Sequence, residues 1–255
     1  MKMKHLYFVL YIGLISCGED KPAVETEKTE PNEQLSMEEL IDRKVKAELS
    51  IPGTENYTMS IHKAQLNDDE FEDAIIVVNR KEHTLQSAID KNNVAYQEEV
   101  GYFGNYNFLF YYDGMTHTVT RKIAVPSNGL IPLKVEFANI LTEGYKDFTL
   151  DVRIREARYR NFYTVRKGAP ALIFQCEIHN VDDVNNFNVN HVKYDVGSHS
   201  LSKDIVIYNA KVKFTIPKDL SSDFEIETEP KGEEKFRFFY YPAQQKYFIK
   251  KDQIQ

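Results

Sequence analysis

The feature that most constrains the fold is the alternation of apolar and polar residues in short segments from residue 57 onward. A period of two places the apolar side chains on one face of a strand. The predicted strands span residues 57–66, 73–78, 107–112, 116–125, 130–140, 147–154, 170–177, 205–216, 224–227, 235–241 and 246–250. Asp113 with Gly114, and residues 242–245, are typical of hairpin turns. The sequence therefore predicts a mainly β domain of antiparallel sheets, either a sandwich or two small β units split near residues 126–135.

Two helices are predicted at the periphery of these sheets. Ser36 and Glu39 have the spacing of a capping box, and apolar residues follow at helical spacing until Pro52 and Gly53 stop the helix. A second helix is predicted over residues 82–91. The folded domain is accordingly predicted to cover residues 36–255.

The N-terminus has the pattern of a secretion signal. Lys2 and Lys4 precede an uncharged apolar run over residues 6–15, which ends in the sequence Leu14-Ile15-Ser16-Cys17. This run is too short to cross a bilayer, because a membrane-spanning helix needs about 20 apolar residues. Residues 1–16 are therefore predicted to be a signal peptide.

Residues 14–17 resemble the lipobox of bacterial lipoproteins, although Ile15 is bulkier than the usual residue there. The resemblance implies that the Cys17 thiol takes a diacylglyceryl group, that cleavage precedes Cys17, and that the new amine is acylated, for example by palmitate. Two or more acyl chains hold a protein stably on a membrane. An ordinary cleaved signal and an uncleaved anchor are the alternatives.

Residues 17–35 are predicted to be a disordered acidic linker, because they contain almost no large apolar residue to bury. The acidic stretch after Cys17 is similar to the surface-export signal of lipoproteins in the Bacteroidota; a generic solvated tether is the alternative. The resemblance implies an outer-membrane lipoprotein in the cell envelope, exposed at the cell surface if the export signal operates.

The net charge restricts the partners. Without Lys2 and Lys4 the formal charge changes from −7 to −9. Nucleic-acid phosphates would be repelled, so nucleic acid is excluded as a partner. Broad contact with anionic lipid headgroups is disfavoured for the same reason.

Residues 63–80 form a predicted strand, an acidic turn and a second strand. This arrangement resembles FG-GAP or VCBS-type repeats, whose loop binds Ca²⁺ through oxygen ligands at alternating positions. The resemblance places Asn67, Asp69 and Asp73 at ligand positions and Phe71 at an apolar plug. Gln65 stands where an aspartate is expected, and residue 70 is a glutamate instead of a turn glycine. Ca²⁺ takes 6–8 oxygen ligands, so the loop is either a weak Ca²⁺ site or a purely structural turn.

Residues 137–154 resemble a second, degenerate copy of this repeat. Asp147 stands at the place of Asp73, and Tyr145 at the place of Phe71. The second loop has too few carboxylates to hold a metal ion. Two degenerate copies do not make a propeller, which takes at least four blades.

Three other features of the sequence are candidate sites. The first is an Asn-rich stretch, predicted to be a loop, that contains His179, Asp182, Asp183, His191 and His199. The spacing of these residues does not match a compact metal site. Cys176 lies in an apolar run typical of a buried cysteine, with a nucleophile as the alternative. The aromatic residues of segment 103–112 form either a sheet core or a binding face.

No G-x-S-x-G, H-E-x-x-H, phosphate-loop or dinucleotide motif occurs in the sequence. We therefore expect a lipid-anchored envelope protein that is a non-enzymatic binding module for protein or glycan and requires no cofactor. The alternatives are a hydrolase of envelope or extracellular polymers and a structural component of an envelope assembly.

Overall fold

The predicted strands pair into two antiparallel sheets in the computed structural model of the chain, which describes residues 35–94, 107–155, 157–183, 186–212 and 227–249. The helices are α1 (Met37–Leu49) and α2 (Lys81–Asp90). The strands are β1 (Thr58–Ala64), β2 (Asp73–Asn79), β3 (Asn107–Asp113), β4 (Thr118–Val119), β5 (Ile123–Val125), β6 (Lys134–Ala138), β7 (Asp147–Ile154), β8 (Ala157–Arg166), β9 (Ala169–Asp183), β10 (Asn186–Asp195), β11 (Asp204–Val212), β12 (Thr228–Tyr241) and β13 (Lys246–Ile249). The predicted fold class, mainly β with antiparallel sheets and peripheral helices, is confirmed.

The first sheet has five strands, in the order β1-β2-β3-β4, with β5 also pairing with β3. The second has eight strands, in the order β13-β12-β11-β10-β9-β8-β7-β6. The chain passes from the first sheet to the second between Val125 and Lys134. The two sheets nevertheless share one hydrophobic core, in which Ile75 and Val77 of β2 pack with Phe148 and Leu150 of β7.

Helix α1 covers the opposite face of the first sheet. Its capping box is formed: the Ser36 amide donates to Glu39 Oε2 at 2.8 Å, and the Glu39 amide donates to Ser36 Oγ at 3.2 Å. Ile41 and Val45 pack against the alternate residues of β2. Because β2 is covered on both faces, all seven of its residues are buried. That burial explains its continuous apolar sequence.

A third core is formed by residues of the second sheet. It contains Phe162 of β8, Ile173 and Cys176 of β9, Ile205 of β11 and Tyr247 of β13. The last hairpin is confirmed, since Tyr240 pairs with Tyr247 and Tyr241 pairs with Lys246.

Strands β8 and β10 are not predicted from the sequence. The Asn-rich stretch predicted to be a loop instead forms the end of β9 and most of β10, in which Val192 packs against the third core. Predicted strand 116–125 is interrupted and gives the short strands β4 and β5. Most of predicted strand 224–227 lies outside the described residues.

Candidate functional site

Six connections meet at one end of the domain, which we call the loop end: β1–β2, β3–β4, β6–β7, β8–β9, β10–β11 and β12–β13. Hydrogen bonds join neighbouring loops within each sheet and, at one place, between the two sheets. The Lys146 amide donates to the Gln65 carbonyl at 2.8 Å, and the Lys203 amide donates to the Ile140 carbonyl at 2.8 Å. Gly114 in the β3–β4 turn donates to Asp73 Oδ1 at 3.0 Å. The loop end is therefore a continuous, hydrogen-bonded surface.

Asp73 fixes the β1–β2 loop from inside. It is the first residue of β2 and is fully buried. Its Oδ2 accepts the Leu66 amide at 3.2 Å, while Oδ1 accepts Gly114. Burial raises the pKa of this carboxyl, and the hydrogen bond from Gly114 opposes that rise. The Asp73 carboxylate thus holds the β1–β2 loop closed, because it accepts hydrogen bonds from two backbone amides.

An aspartate that accepts hydrogen bonds from loop amides also occurs at the start of two further strands. Asp147 Oδ2 accepts the Ile140 and Leu141 amides at 3.1 and 2.7 Å. Asp204 Oδ2 accepts the Ser198 amide at 3.2 Å. The first two loops are predicted from the sequence but the third is not, because residues 196–203 have neither the acidic nor the aromatic residues of the first copy. The only shared signal is an aspartate directly before a buried strand.

Three carboxylates come together beside the β1–β2 loop. Oxygens of Asp69, Asp73 and Asp113 all lie within 4.8 Å of one another. Asp69 Oδ1 accepts the Phe71 amide at 2.8 Å, and Asp113 Oδ1 accepts the Thr116 amide at 2.7 Å. Each of these two aspartates therefore keeps its second oxygen for another partner.

A cleft of about 420 Å³ opens next to these carboxylates. We call it the acidic cleft. It is lined by Asn67, Asp68, Asp69, Asp113, Met115, Tyr145, Val165, Lys167 and Gly168. Its walls come from loops of both sheets. It combines carboxylates, one lysine, a tyrosine ring and a thioether, and so offers both polar and apolar contacts to a small ligand group.

The structure brings two of the three predicted Ca²⁺ ligands together and adds Asp113. Asn67 lies in the same cleft, but its Oδ1 accepts the Asp69 amide at 2.8 Å and its Nδ2 donates to the Tyr111 hydroxyl at 3.2 Å. The hairpin turn that carries Asp113 was predicted, but its position beside Asp69 depends on the pairing of β2 with β3. The Ca²⁺ site itself stays a prediction.

Gln65, which stands where the calcium-binding repeat has an aspartate, makes a hydrogen bond within the β1–β2 loop. Gln65 Nε2 donates to the Asp69 carbonyl at 2.5 Å. At the equivalent place in the second loop, Asn139 Nδ2 donates to the carbonyls of Glu143 at 2.9 Å and of Thr142 at 3.3 Å. In both loops, an amide NH₂ group donates hydrogen bonds to backbone carbonyl oxygens. In a calcium loop, the cation takes this place and is coordinated by such oxygens.

The predicted apolar plug is wrong. Phe71 is 51% exposed and lies at the surface of the loop end. Asp73 holds the loop through buried hydrogen bonds, so the loop does not need an apolar side chain beneath it.

Residues 107–112 of the aromatic segment lie in the core, which was one of the two hypotheses for this segment; the other was a binding face. Phe108, Phe110, Tyr111 and Tyr112 are buried between the sheets or beneath α1. Residues 103–106 lie outside the described residues. Two exposed aromatic side chains besides Phe71, those of Tyr241 and Phe248, lie in the last hairpin and flank a groove of about 640 Å³.

The histidines of the Asn-rich stretch are not brought together. His179 is fully buried in β9, and burial together with Arg153 and Arg158 lowers its pKa to about 3. A ring nitrogen of His191 bonds Thr228 Oγ1 at 2.9 Å, and the His199 ring packs 4.7 Å from the Phe239 ring. The side chains of Asp182 and Asp183 lie outside the described residues.

Cys176 is buried in the third core, where burial raises the pKa of its thiol to about 12. A thiol in this environment stays protonated and unreactive, as expected for a structural cysteine.

The predicted signal peptide, Cys17 and the linker up to residue 34 lie outside the described residues. None of the helices within the described part of the chain is long and apolar enough to cross a membrane. Searches of protein-family models, of curated proteins and of solved structures each found no match to this chain.

Proposed function

We propose that the protein is a lipid-anchored component of the bacterial envelope that binds a protein or a glycan without catalysing a reaction. Cys17 is the proposed site of acylation, and residues 17–35 are the proposed tether. The β domain carries the binding site. The anchor rests on the sequence pattern of residues 1–17 alone.

The observation that supports a binding role is the acidic cleft. Loops of both sheets form its walls, and buried aspartates hold those loops in place. A binding site on loops that a rigid scaffold positions is a common arrangement in proteins. The carboxylates of Asp68, Asp69 and Asp113 suit a lysine or arginine side chain of a protein, or the hydroxyl groups of a sugar. Tyr145 adds a ring for apolar contact.

The hydrolase alternative receives less support from the same residues. A general acid needs a raised pKa and must reach the substrate. Asp73 has a raised pKa, but it is fully buried and both of its oxygens accept backbone amides. Asp147 is buried in the same manner. These two carboxyls therefore suit structural roles.

Ca²⁺ is proposed as an optional ligand of the acidic cleft. Asp69 and Asp113 each keep one oxygen, and Asp68 is exposed nearby. Calorimetry of the purified protein with Ca²⁺ tests this proposal, with Asp113→Asn as the variant and Asp90→Asn on α2 as the control. Heat equal to that of buffer dilution would exclude a working site.

The binding function is tested by cross-linking intact cells and identifying the captured protein or glycan. We expect capture by the wild type to be lost when Asp68 and Asp113 are both replaced by asparagine, because the cleft then loses two negative charges. The matched control replaces Glu82 and Asp90, two exposed acids on α2, by glutamine and asparagine. Equal capture by both variants would show that the acidic cleft is not the binding site.

The anchor is tested separately by mass spectrometry of the mature N-terminus. We expect an acylated Cys17 as the first residue. An unmodified N-terminus, or unchanged membrane association of Cys17→Ser, would refute the anchor and leave the cleft proposal standing.

A further inference from the structure

The acidic cleft holds charges of both signs. Asp68, Asp69 and Asp113 come from loops of the first sheet, and Lys167 comes from the β8–β9 turn of the second sheet. These four side chains carry three formal negative charges and one positive charge. The cleft is therefore complementary to a ligand that has an excess of positive charge and also one negative group.

The charges of the cleft do not neutralise one another. Asp68 and Lys167 are exposed, and within the described part of the chain neither of them forms a salt bridge. Asp69 and Asp113 each accept a loop amide through one oxygen and keep the other. Their oxygens lie within 4.8 Å of each other, so one guanidinium group can donate to both carboxylates. Both signs of charge thus remain available to a ligand.

The β8–β9 turn places Lys167 at an unusual backbone position. Arg166 pairs with Ala169, so Lys167 and Gly168 are the two central residues of the hairpin turn. Their φ angles are +51° and +70°. A positive φ is uncommon for a residue other than glycine, and hairpin turns of this kind favour asparagine, aspartate or glycine. A lysine at the first position has a conformational cost, which points to a role for its side chain.

Tyr145 and Val165 add apolar surface to the same cleft. Val165 on β8 is buried, and Tyr145 in the β6–β7 loop is half-buried. Burial raises the pKa of the Tyr145 hydroxyl, and the negative charges of Asp147 and Asp68 raise it further. Tyr145 of the second sheet therefore lies close to Asp68 of the first. A guanidinium group stacks on an aromatic ring while its N–H groups bind carboxylates.

From this arrangement we infer that the acidic cleft binds a basic amino acid whose carboxylate is free. The guanidinium or ammonium group of its side chain pairs with Asp69 and Asp113, and its carboxylate pairs with Lys167. The cleft volume of about 420 Å³ is in the range of pockets for small ligands. Free arginine or lysine has this chemistry, and so does the last residue of a protein that ends in one of them. The inference rests on the proposed function, in which the acidic cleft is the binding site.

Calorimetry of the full chain, purified in detergent, tests this inference with two probes that differ in one group. L-arginine has a carboxylate, and L-argininamide has a neutral amide in its place. Lys167→Gln is the test variant. Lys81→Gln, at an exposed position at the start of α2, is the matched control.

We expect L-arginine to bind, and Lys167→Gln to weaken its binding about two- to fivefold, which is the effect of losing one exposed ion pair. The same change should strengthen the binding of L-argininamide, because it removes a positive charge from the cleft. Lys81→Gln should leave both affinities unchanged. If Lys167→Gln changed both affinities in the same direction, or if L-arginine did not bind, the inference would be overturned.

Asp113→Asn shows whether the probes bind in the acidic cleft. It keeps the oxygen that accepts the Thr116 amide and removes one negative charge, so both probes should bind more weakly. Unchanged binding of both would place them elsewhere and would also overturn the inference.

N-acetyl-L-arginine distinguishes the two sources of the ligand, because it has no α-ammonium group and so resembles the last residue of a protein. Tighter binding of N-acetyl-L-arginine than of L-arginine would support a chain end, and the reverse order would support the free amino acid. The cross-linking experiment decides the proposed function independently. Capture through the cleft without binding of L-arginine would overturn this inference alone.

Discussion

Replacing Asp147 by alanine tests whether the buried aspartates hold the loops. The alanine variant leaves the Ile140 and Leu141 amides, 3.1 and 2.7 Å from Oδ2 in the wild type, without their acceptor. An unsatisfied buried hydrogen-bonding group costs about 1–3 kcal/mol, so the free energy of unfolding should fall by about 2–5 kcal/mol. Asp147→Asn keeps an oxygen for both amides and removes the buried charge, so it should change the free energy of unfolding by less than about 1 kcal/mol.

The effect of pH gives a further check, and its sign follows from the pKa shift. Burial raises the pKa of Asp147 in the folded protein above its value in the unfolded chain. The ionised group therefore disfavours folding above the unfolded pKa, and the penalty disappears as the pH falls through the folded pKa. Asp147→Asn removes this penalty, so its stability relative to the wild type should be greatest near neutral pH and should decline in acid.

Urea unfolding followed by far-ultraviolet circular dichroism measures these differences, because the chain has no Trp for fluorescence. Asp90→Ala, at an exposed position of α2, is the control and should change the free energy of unfolding by less than about 0.5 kcal/mol. If Asp147→Ala were as mild as the control, or if the asparagine variant lost as much stability as the alanine variant, the proposed role of the carboxylate would be wrong.

Two further predictions concern the loop amides and the buried thiol. Asn139→Asp should lower the free energy of unfolding by about 1–3 kcal/mol, because a carboxylate replaces the donor to three loop carbonyls; Asn139→Ser, measured in parallel by urea unfolding, should be milder, and the reverse order would contradict the amide's role. Cys176 should resist alkylation at pH 8 in the native protein and react once the chain is unfolded in urea, because burial raises the pKa of its thiol to about 12; rapid modification in the native state, read by mass spectrometry, would disprove its burial.

The fold class could be predicted because strands and turns leave local patterns. Strand β7 was predicted with its observed limits, since aspartate and turn residues precede its apolar run. Strands β8 and β10 were missed because the polar face of a sheet and a loop have similar compositions. Arg160 on β8 is held by a bidentate pair with Asp151, at 2.7 and 2.9 Å, and only the register of the two strands shows that its charge is paired.

The candidate site was predictable only in part. Asp69 and Asp73 are close in sequence, so a local motif found them. Asp113 is 40 or more residues away and joins them only because β2 and β3 pair in register. The exposure of Val196 and Leu201 had no sequence signal, since these residues differ from core residues only in being exposed.

The sequence by itself determined the strand alternation, the first helix with its cap, and Asp73 and Asp147, which begin two buried strands. These features depend on interactions between residues near one another in the chain, and such interactions leave a readable pattern. The tertiary structure alone decided which loops share one end, which carboxylates meet and which apolar side chains remain uncovered. Each of those outcomes depends on contacts between distant segments, and burial of a side chain is a property of its neighbours in space.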